Sequence, residues 1–456
     1  MAHKIRLFFA LLSSRLTFSS SRGNVRKCRA ALQLVTWAFL ALAPWACAQD
    51  YVWVRIPSLG KLTSASAINS SGQVVGSAGL PSFFSHAFLW HKGSPIQDLG
   101  TLGGSTSVAY GINAAGQVVG SAEDSLLNDH AFLWSPGSGM LDLNPSTIDG
   151  RAFGVNSAGE TVGSFLPANS SIFVIHAFLW TPAGGILDLG SGANNGGASG
   201  INASGEVVGS VMGNDGFQHA FLWTPLEGLH DLGTLGGPNS SANAINDNGD
   251  IVGGSDTADG AKHAFRWTRS GGMQDLGLTA GFANSSAYAI NGLGQIVGAA
   301  WTAGAKGVPL LWTPDGAIKV FGPFGKTGVE EAVAINDAGQ ILASVYIYDR
   351  GYSSFLISPL MHVALVSSSN PSASGAPLTF TVTVKSSVAG SPPDGEVVRL
   401  NEGPTNLGQA RLNKGLAVFH PKNLKTGTHA VRATYAGDLN YDLSKSSVLE
   451  QVVNAP

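Results

Sequence analysis

Apolar residues recur along this chain in short runs broken by Gly, Asn and Asp. The most regular run is HAFLW, intact at His86–Trp90, His130–Trp134, His176–Trp180 and His219–Trp223. A variant, HAFRW, lies at His263–Trp267, and eroded copies follow as VPLLW at Val308–Trp312 and SFLI at Ser354–Ile357. Polar and apolar positions do not alternate in it. As a strand it points His, Phe and Trp one way and Ala and Leu the other, so both faces need cover. A second run, IN-x-x-G-x-VVG, keeps step with it. Its asparagines are Asn69, Asn113, Asn156, Asn202, Asn246, Asn291 and Asn336, spaced 44, 43, 46, 44, 45 and 45 residues apart. A third, D-L-G, occurs at Asp98–Gly100, Asp188–Gly190, Asp231–Gly233 and Asp275–Gly277, with degraded copies at 142–144 and 320–322.

Each unit reads as four strands. The first ends in A-I-N. Asn-x-x-Gly then turns the chain, with Asn opening a type I turn and Gly supplying the positive φ that follows. The second strand is the V-V-G run and the third is HAFLW. The fourth runs into D-L-G. Four-stranded units covered on both faces, at a period near 44, predict propeller blades. The seventh unit lacks a fourth strand, whereas Tyr51–Ile56 with Leu59-Gly60 precede the first unit in the place such a strand would occupy. The expected fold is therefore all-β: a seven-bladed β-propeller closed by an N-terminal strand, then a C-terminal Ig-like β-sandwich. Closure would remove the exposed edges of an open array.

The combined unit, A-F-L-W / D-L-G-T-L-G-G / A-x-x-I-N-x-x-G-x-V-V-G-x-S, resembles the HAF-repeat family of bacterial extracellular proteins over about residues 51–359. Units six and seven depart from it by lacking the histidine, and unit seven also lacks the tryptophan. The resemblance implies secretion and a repeat architecture, and no established activity. After Pro359 the composition turns to Ser, Thr and Val. Seven strands are expected there: 363–367, 378–385, 396–401, 408–412, 416–420, 429–435 and 448–453. Ser369-Asn370-Pro371, Leu378–Val384, Gly427–Val431 and Ala433–Asp438 with Asn440 resemble a bacterial Ig-like repeat domain, over about 361–454. Such domains resemble spacers and adhesion modules.

Composition changes this picture at the N-terminus. Residues 1–48 carry seven basic residues and no acidic one, then an apolar run and Ala46-Cys47-Ala48. That order reads as a secretory signal peptide, and the apolar run is too short for a permanent span. The expected layout is a signal at 1–48, a propeller at 49–359 and an Ig-like domain at 360–456, in a secreted, monomeric protein with a bacterial cell surface as one location. Both cysteines, Cys28 and Cys47, leave with the signal. The remainder keeps 19 basic against 29 acidic residues, a net charge of −10. That balance excludes phosphate-backbone binding, so no nucleic acid partner is expected.

Candidate chemistry is sparse. Metal ligands must converge on one point. The histidines sit at equal positions of separate units, so neither metal nor cofactor is expected. His86, Trp90, Asp98, His130, Trp134, His176, Trp180, Asp188, His219, Trp223, Asp231, His263, Trp267 and Asp275 read as structural repeat residues, each histidine bonded inside its unit. Asp247-Asn248-Gly249-Asp250 resembles a calcium loop but falls at a repeated turn. The remaining acids mark no catalytic pair, and no catalytic residue is assigned.

Function tends to sit on variable connections. The two–three and four–one connections share one face, and their aromatics Phe83, Phe84, Phe165, Phe173, Phe217, Trp301, Phe324 and Tyr352 are the ligand-binding candidates. The expectation is a non-enzymatic binding or adhesion protein for an extracellular carbohydrate or protein. The alternatives are a carbohydrate-active hydrolase or lyase with a site at the central channel, and a structural surface component. Converging carboxylates, or a carboxylate with His and Tyr, would favour the enzyme; small residues along the channel would favour binding.

Overall fold

The computed structural model describes residues 51–455, except 145–148, 168–173, 190–195, 303–306, 322–329, 348–350, 389–391, 393 and 423. The proposed signal segment lies outside the described residues. Those residues form strands and turns with no helix among them, and so no helix long and apolar enough to cross a membrane.

Seven four-stranded antiparallel sheets account for 51–359. The first comprises Thr63–Ile68, Gln73–Gly79, Ser85–His91 and Gln97–Asp98. The next five repeat this meander, from Gly103–Ile112 through Ile318–Val320. The seventh takes Glu330–Ile335, Ile341–Ile347 and Gly351–Pro359 from one end of the region and Tyr51–Arg55 from the other. Tyr51 pairs with Pro359 and Arg55 with Phe355. The expected L-G of this strand at Leu59-Gly60 is misplaced. Ile56 N–H donates to Ser354 O at 3.0 Å, as Leu99 N–H donates to Ala87 O at 2.9 Å in the first sheet. Ile56-Pro57 therefore stands where Leu-Gly stands elsewhere, because the pairing register and not the dipeptide sets the position.

The core lies between sheets. Ala87 and Leu89 of the first sheet pack with Phe132 and Trp134 of the second, and this cross-packing recurs from sheet to sheet. Val74, Phe88 and Trp90 of the first sheet pack in turn with Leu342 and Leu356 of the seventh. This is why HAFLW is apolar on both faces: each third strand serves two interfaces. The arrangement is propeller-like.

Every first strand breaks register at one equivalent place, between Ala65/Ala67, Ala109/Gly111, Ala152/Gly154, Ala198/Gly200, Ala242/Ala244, Ala287/Ala289 and Ala332/Ala334, and those of the second and fifth sheets break it again between Gly103/Ser107 and Gly236/Ser240. A bulge leaves one residue extra and bends the strand. It also brings the first strand close to the V-V-G glycine of the second. A Cβ on Gly120 would lie 1.9 Å from Val108 O. The glycine is thus a packing requirement in the sheets that carry it, whereas the seventh sheet, with the same bulge, has Ala343 there.

The C-terminal region forms a sandwich of a three-stranded sheet (Met361–Ser367, Phe380–Ser386, Leu416–Phe419) and a larger sheet built on Val397–Glu402, Thr405–Arg411, Gly427–Tyr435 and Leu449–Asn454. All seven expected strands are present, and two short ones, Ser372–Ala373 and Ser444–Lys445, add to them. Phe380, Val382, Val398, Leu400, Ala433 and Tyr435 fill its core.

Candidate functional site

The repeated asparagines do more than open turns. Asn69 Oδ1 accepts from Ser71 N at 3.1 Å and Gln73 N at 2.9 Å, and Nδ2 donates to Gln73 Oε1 at 2.8 Å. Nδ2 also donates to Asn113 O, the backbone of the next sheet's asparagine, at 3.0 Å. The same bond runs from Asn113 to Asn156, Asn202, Asn246, Asn291 and Asn336. Asn336 Nδ2 returns to Asn69 O at 3.1 Å. The seven buried amides make a closed circuit on the face that carries the Asn-x-x-Gly turns. Leaving any buried amide unpaired is costly, so each unit must supply its asparagine.

The Ig-like region rests on this same face. Gln340 Nε2 donates to Leu439 O at 3.3 Å and Asn440 Nδ2 to Ser70 O at 3.0 Å. Lys92 pairs with Asp442. Ala338, in a turn of the seventh sheet, packs into the sandwich core, and Val388 of the sandwich packs against the seventh sheet. The acids of the loop that resembled a calcium site are engaged. Asp250 pairs with Arg266 at 2.7 Å, and Asp247 Oδ1 accepts from Ala203 N at 2.9 Å. Among the described residues no group of three His, Cys, Asp or Glu could hold a metal.

The opposite face holds the histidines and the long connections. Each motif histidine bonds the motif aspartate twelve residues on, through Nδ1: His86 to Asp98 (2.9 Å), His130 to Asp142 (2.7 Å), His176 to Asp188 (2.6 Å), His219 to Asp231 (2.7 Å) and His263 to Asp275 (2.6 Å). In Asp142, Asp231 and Asp275 the other carboxylate oxygen takes a backbone N–H two residues later, such as Gly233 N at 2.8 Å, whereas His86 reaches both oxygens of Asp98. Asp231 raises the His219 pKa, and Asp215, 3.3 Å from Nε2, adds to it. These five pairs lie on five separate sheets and converge on no common point.

The degraded copy Asp142-Leu143-Asn144 is a compensated one. Ala87 N donates to Ser107 Oγ at 2.8 Å, and Ser107 Oγ donates to Gly100 O. One sheet on, Gly150 occupies the serine's place, and Asn144 Oδ1 accepts from Ala131 N at 2.8 Å instead. A Cβ at Gly150 would meet Asn144 Nδ2 at 2.0 Å. The two positions have exchanged roles.

The first strands form the inner ring, each touching the first strands of the sheets beside it. The bulged residues Ser66, Tyr110, Phe153, Ser199, Asn243, Tyr288 and Val333 are all half-buried there. Tyr110 and Phe153 meet at 5.1 Å between ring centroids, and Asn243 Nδ2 donates to Ala287 O at 2.7 Å. Tyr288 bonds Glu331 of the next first strand. Burial raises both pKa values, and the nearby carboxylate raises the phenol further. Arg151, also on a first strand, lies 3.7 Å from Asp129 and 3.6 Å from Asp149. Among the described side chains, the inner row is thus neither uniformly small nor a carboxylate pair.

The aromatic candidates divide. Phe83, Phe84 and Phe217 are exposed on two–three connections. Phe83 has φ 73°, and the Lys61 ammonium lies 3.0 Å from its ring centroid. Phe165 is instead buried, its ring against His176 and Phe178, because it ends a strand that faces the neighbouring sheet. Trp301 is half-buried at the end of a second strand, opposite Asn284. Phe173 and Phe324 lie outside the described residues; Tyr352 pairs with Tyr346 in the seventh sheet, and its side chain is outside them. Two residues missed by a search for aromatics, Leu126 and Leu127, are strongly exposed on the second sheet's connection. Their signal in the sequence was an apolar pair flanked by Asp124, Ser125 and Asn128.

Comparison with known proteins adds the following. A family model for the bacterial Ig-like domain, group 3, matches residues 365–454. No curated protein matches the chain. Among solved structures, virginiamycin B lyase from Staphylococcus aureus is similar at 12% identity, covering 68% of this chain and 99% of that one, with a TM-score of 0.44. A puromycin hydrolase is similar at 12% identity, covering 86% of this chain and 60% of that one, also at 0.44. TolB from Acinetobacter baumannii is similar at 12% identity, with coverages of 69% and 82% and a TM-score of 0.35.

Proposed function

We propose that this is a secreted, non-enzymatic binding protein. In this reading a signal at 1–48 directs export, and HAF-type repeats over 49–359 make a seven-bladed β-propeller closed by its N-terminal strand. The Ig-like region from 360 is a spacer, and the variable-loop face binds an extracellular carbohydrate or protein. The observation that carries it is the inequality of the two faces. One is occupied by uniform turns, the asparagine circuit and the Ig-like region. The other presents unequal loops with exposed Phe83, Phe84 and Phe217. Exposed large apolar side chains are typical of interaction sites; the loop face adds Leu126 and Leu127 to these three, while the turn face exposes Leu226 and Leu293. The test is a glycan and polysaccharide binding screen with reducing-sugar release measured in parallel. Saturable binding without turnover is expected, and turnover would overturn the reading. A hydrolase or lyase is the second reading. It draws on Glu331, a half-buried carboxyl on the inner ring bonded to Tyr288.

A further inference from the structure

Two of the connections between second and third strands are tight turns built to hold an apolar residue outward. In the first sheet, Leu80 N–H donates to Phe84 O at 2.8 Å and Phe83 N–H to Leu80 O at 3.2 Å. In the second, Asp124 N–H donates to Asn128 O at 3.0 Å and Leu127 N–H to Asp124 O at 3.1 Å. These are the same pair of bonds at the same place. In both, the third residue after the turn opens is a bulky one at positive φ, Phe83 at 73° and Leu127 at 66°. Large side chains avoid that region, and strain retained at an exposed tip points to function. The tips stand in solvent: Phe83 is 90% exposed, with the Lys61 ammonium on one side of its ring, Leu126 is 77% exposed and Leu127 67%. The fourth sheet adds Phe217, 45% exposed, on its own two–three connection.

Leucine decides the class of ligand. Aromatic rings stack on sugars, whereas exposed leucines gain only by burial against another apolar surface. Charge decides its sign. Asp124 Oδ1 accepts from Leu126 N at 2.8 Å, and Asp215 Oδ1 accepts from Phe217 N at 3.1 Å. Leu126 and Phe217 are thus each fixed by a carboxylate two residues before them. Glu123, Asp129, Asp256 and Asp259 lie on or beside the same kind of connection, and with Asp124 and Asp215 they outnumber the cations there, Lys61 at the Phe83 ring, Arg151 beside Asp129, and Lys262. Such a surface repels anionic lipid and attracts cations.

We infer that the loop tips of the first, second and fourth sheets dock a protein segment that is apolar and positively charged. This rests on the proposed binding face and narrows its ligand from carbohydrate or protein to a cationic amphipathic segment. The test titrates the full-length protein with a labelled helical peptide of leucine and lysine. A leucine–glutamate peptide, phosphatidylcholine vesicles and phosphatidylcholine–phosphatidylglycerol vesicles run beside it.

Saturable binding of the lysine peptide alone is expected. It should weaken at least tenfold in Phe83→Ser/Leu126→Ser/Leu127→Ser. It should also weaken with added salt and in Asp124→Asn, which keeps the turn's acceptor and removes its charge. Unaltered melting confirms that the variants fold. The inference is overturned if the triple variant binds as wild type does, if the glutamate peptide binds equally, or if vesicles bind and the peptide does not. Should the peptide fail while a glycan still binds saturably, this inference falls and the binding-face reading stands. If neither binds, both fall.

Discussion

The two faces of the sheet ring are built from the same repeat and have opposite freedom. On the turn face, Asn69 and its six equivalents each satisfy their own turn and the neighbouring sheet's backbone. A unit that lost its asparagine would leave buried donors and acceptors unpaired in two sheets. On the loop face, neighbouring sheets also bond one another, as Gln218 N–H to Asn239 Oδ1 and Gly196 N–H to Ile175 O, but through residues that change from unit to unit, so lengths and tips differ. Uniformity therefore follows where every unit makes the same bond to its neighbour, and variety where those bonds differ.

The largest effect that would break this contrast is removal of Tyr51–Pro57. It takes the fourth strand from the seventh sheet and opens an edge along Gly351–Pro359. A loss on the order of 5 kcal/mol or more is expected in denaturant unfolding. An unchanged midpoint would mean that the ring does not depend on this strand. Next, Asn202→Ala removes bonds to Ser204 N, Glu206 N, Glu206 Oε2 and Asn246 O. About 3 kcal/mol is expected, against less than about 0.5 kcal/mol for Phe217→Ser on the loop face. Equal costs would erase the distinction between the faces.

The exchanged pair sharpens the contrast at a smaller scale. Gly150→Ser alone places its side chain against Asn144, and Asn144→Gly alone strands the Ala131 N–H. Each single change should cost about 1–3 kcal/mol. The double change, which restores the Ser–Gly arrangement of the first sheet, should recover most of it. Additive losses in that cycle would refute the exchange.

The smallest effect is a pH dependence at His219. Its folded pKa is raised, chiefly by the bond to Asp231. The stabilisation is thus fully present below the unfolded histidine pKa of about 6.5 and is lost as pH rises through the folded value. His219→Gln should lower the melting temperature more at pH 5.5 than at pH 8.5. A penalty independent of pH would assign the pair a packing role only.

Much of the fold was legible because repetition turns weak local signals into strong ones. The Asn-x-x-Gly turns, the HAFLW strands and the seven C-terminal strands appear where the pattern put them. Errors fell where a position is defined by a partner and not by its neighbours. Leu59-Gly60 looked like the end of a fourth strand, but register against Ser354 chose Ile56-Pro57. Asn144 looked like decay, but it fills the place left by the missing hydroxyl at Gly150. Phe165 looked like a loop aromatic and is core, because its strand continues to it. Leu126 and Leu127 went unnoticed because exposure is not written in residue type.

The sequence by itself determined the period, the strands, the turns and the two composition regimes. The strands and turns depend on residues within a few positions of one another, and the period and composition emerge when such stretches are compared along the chain. Only the tertiary structure decided that Asn69 bonds Asn113 and Asn336 bonds Asn69, and that the Ig-like region rests on the turn face. It alone decided which apolar residues stand in solvent. Those are facts about groups brought together by the closing of the chain, and a partner far away in sequence leaves no mark on the local pattern.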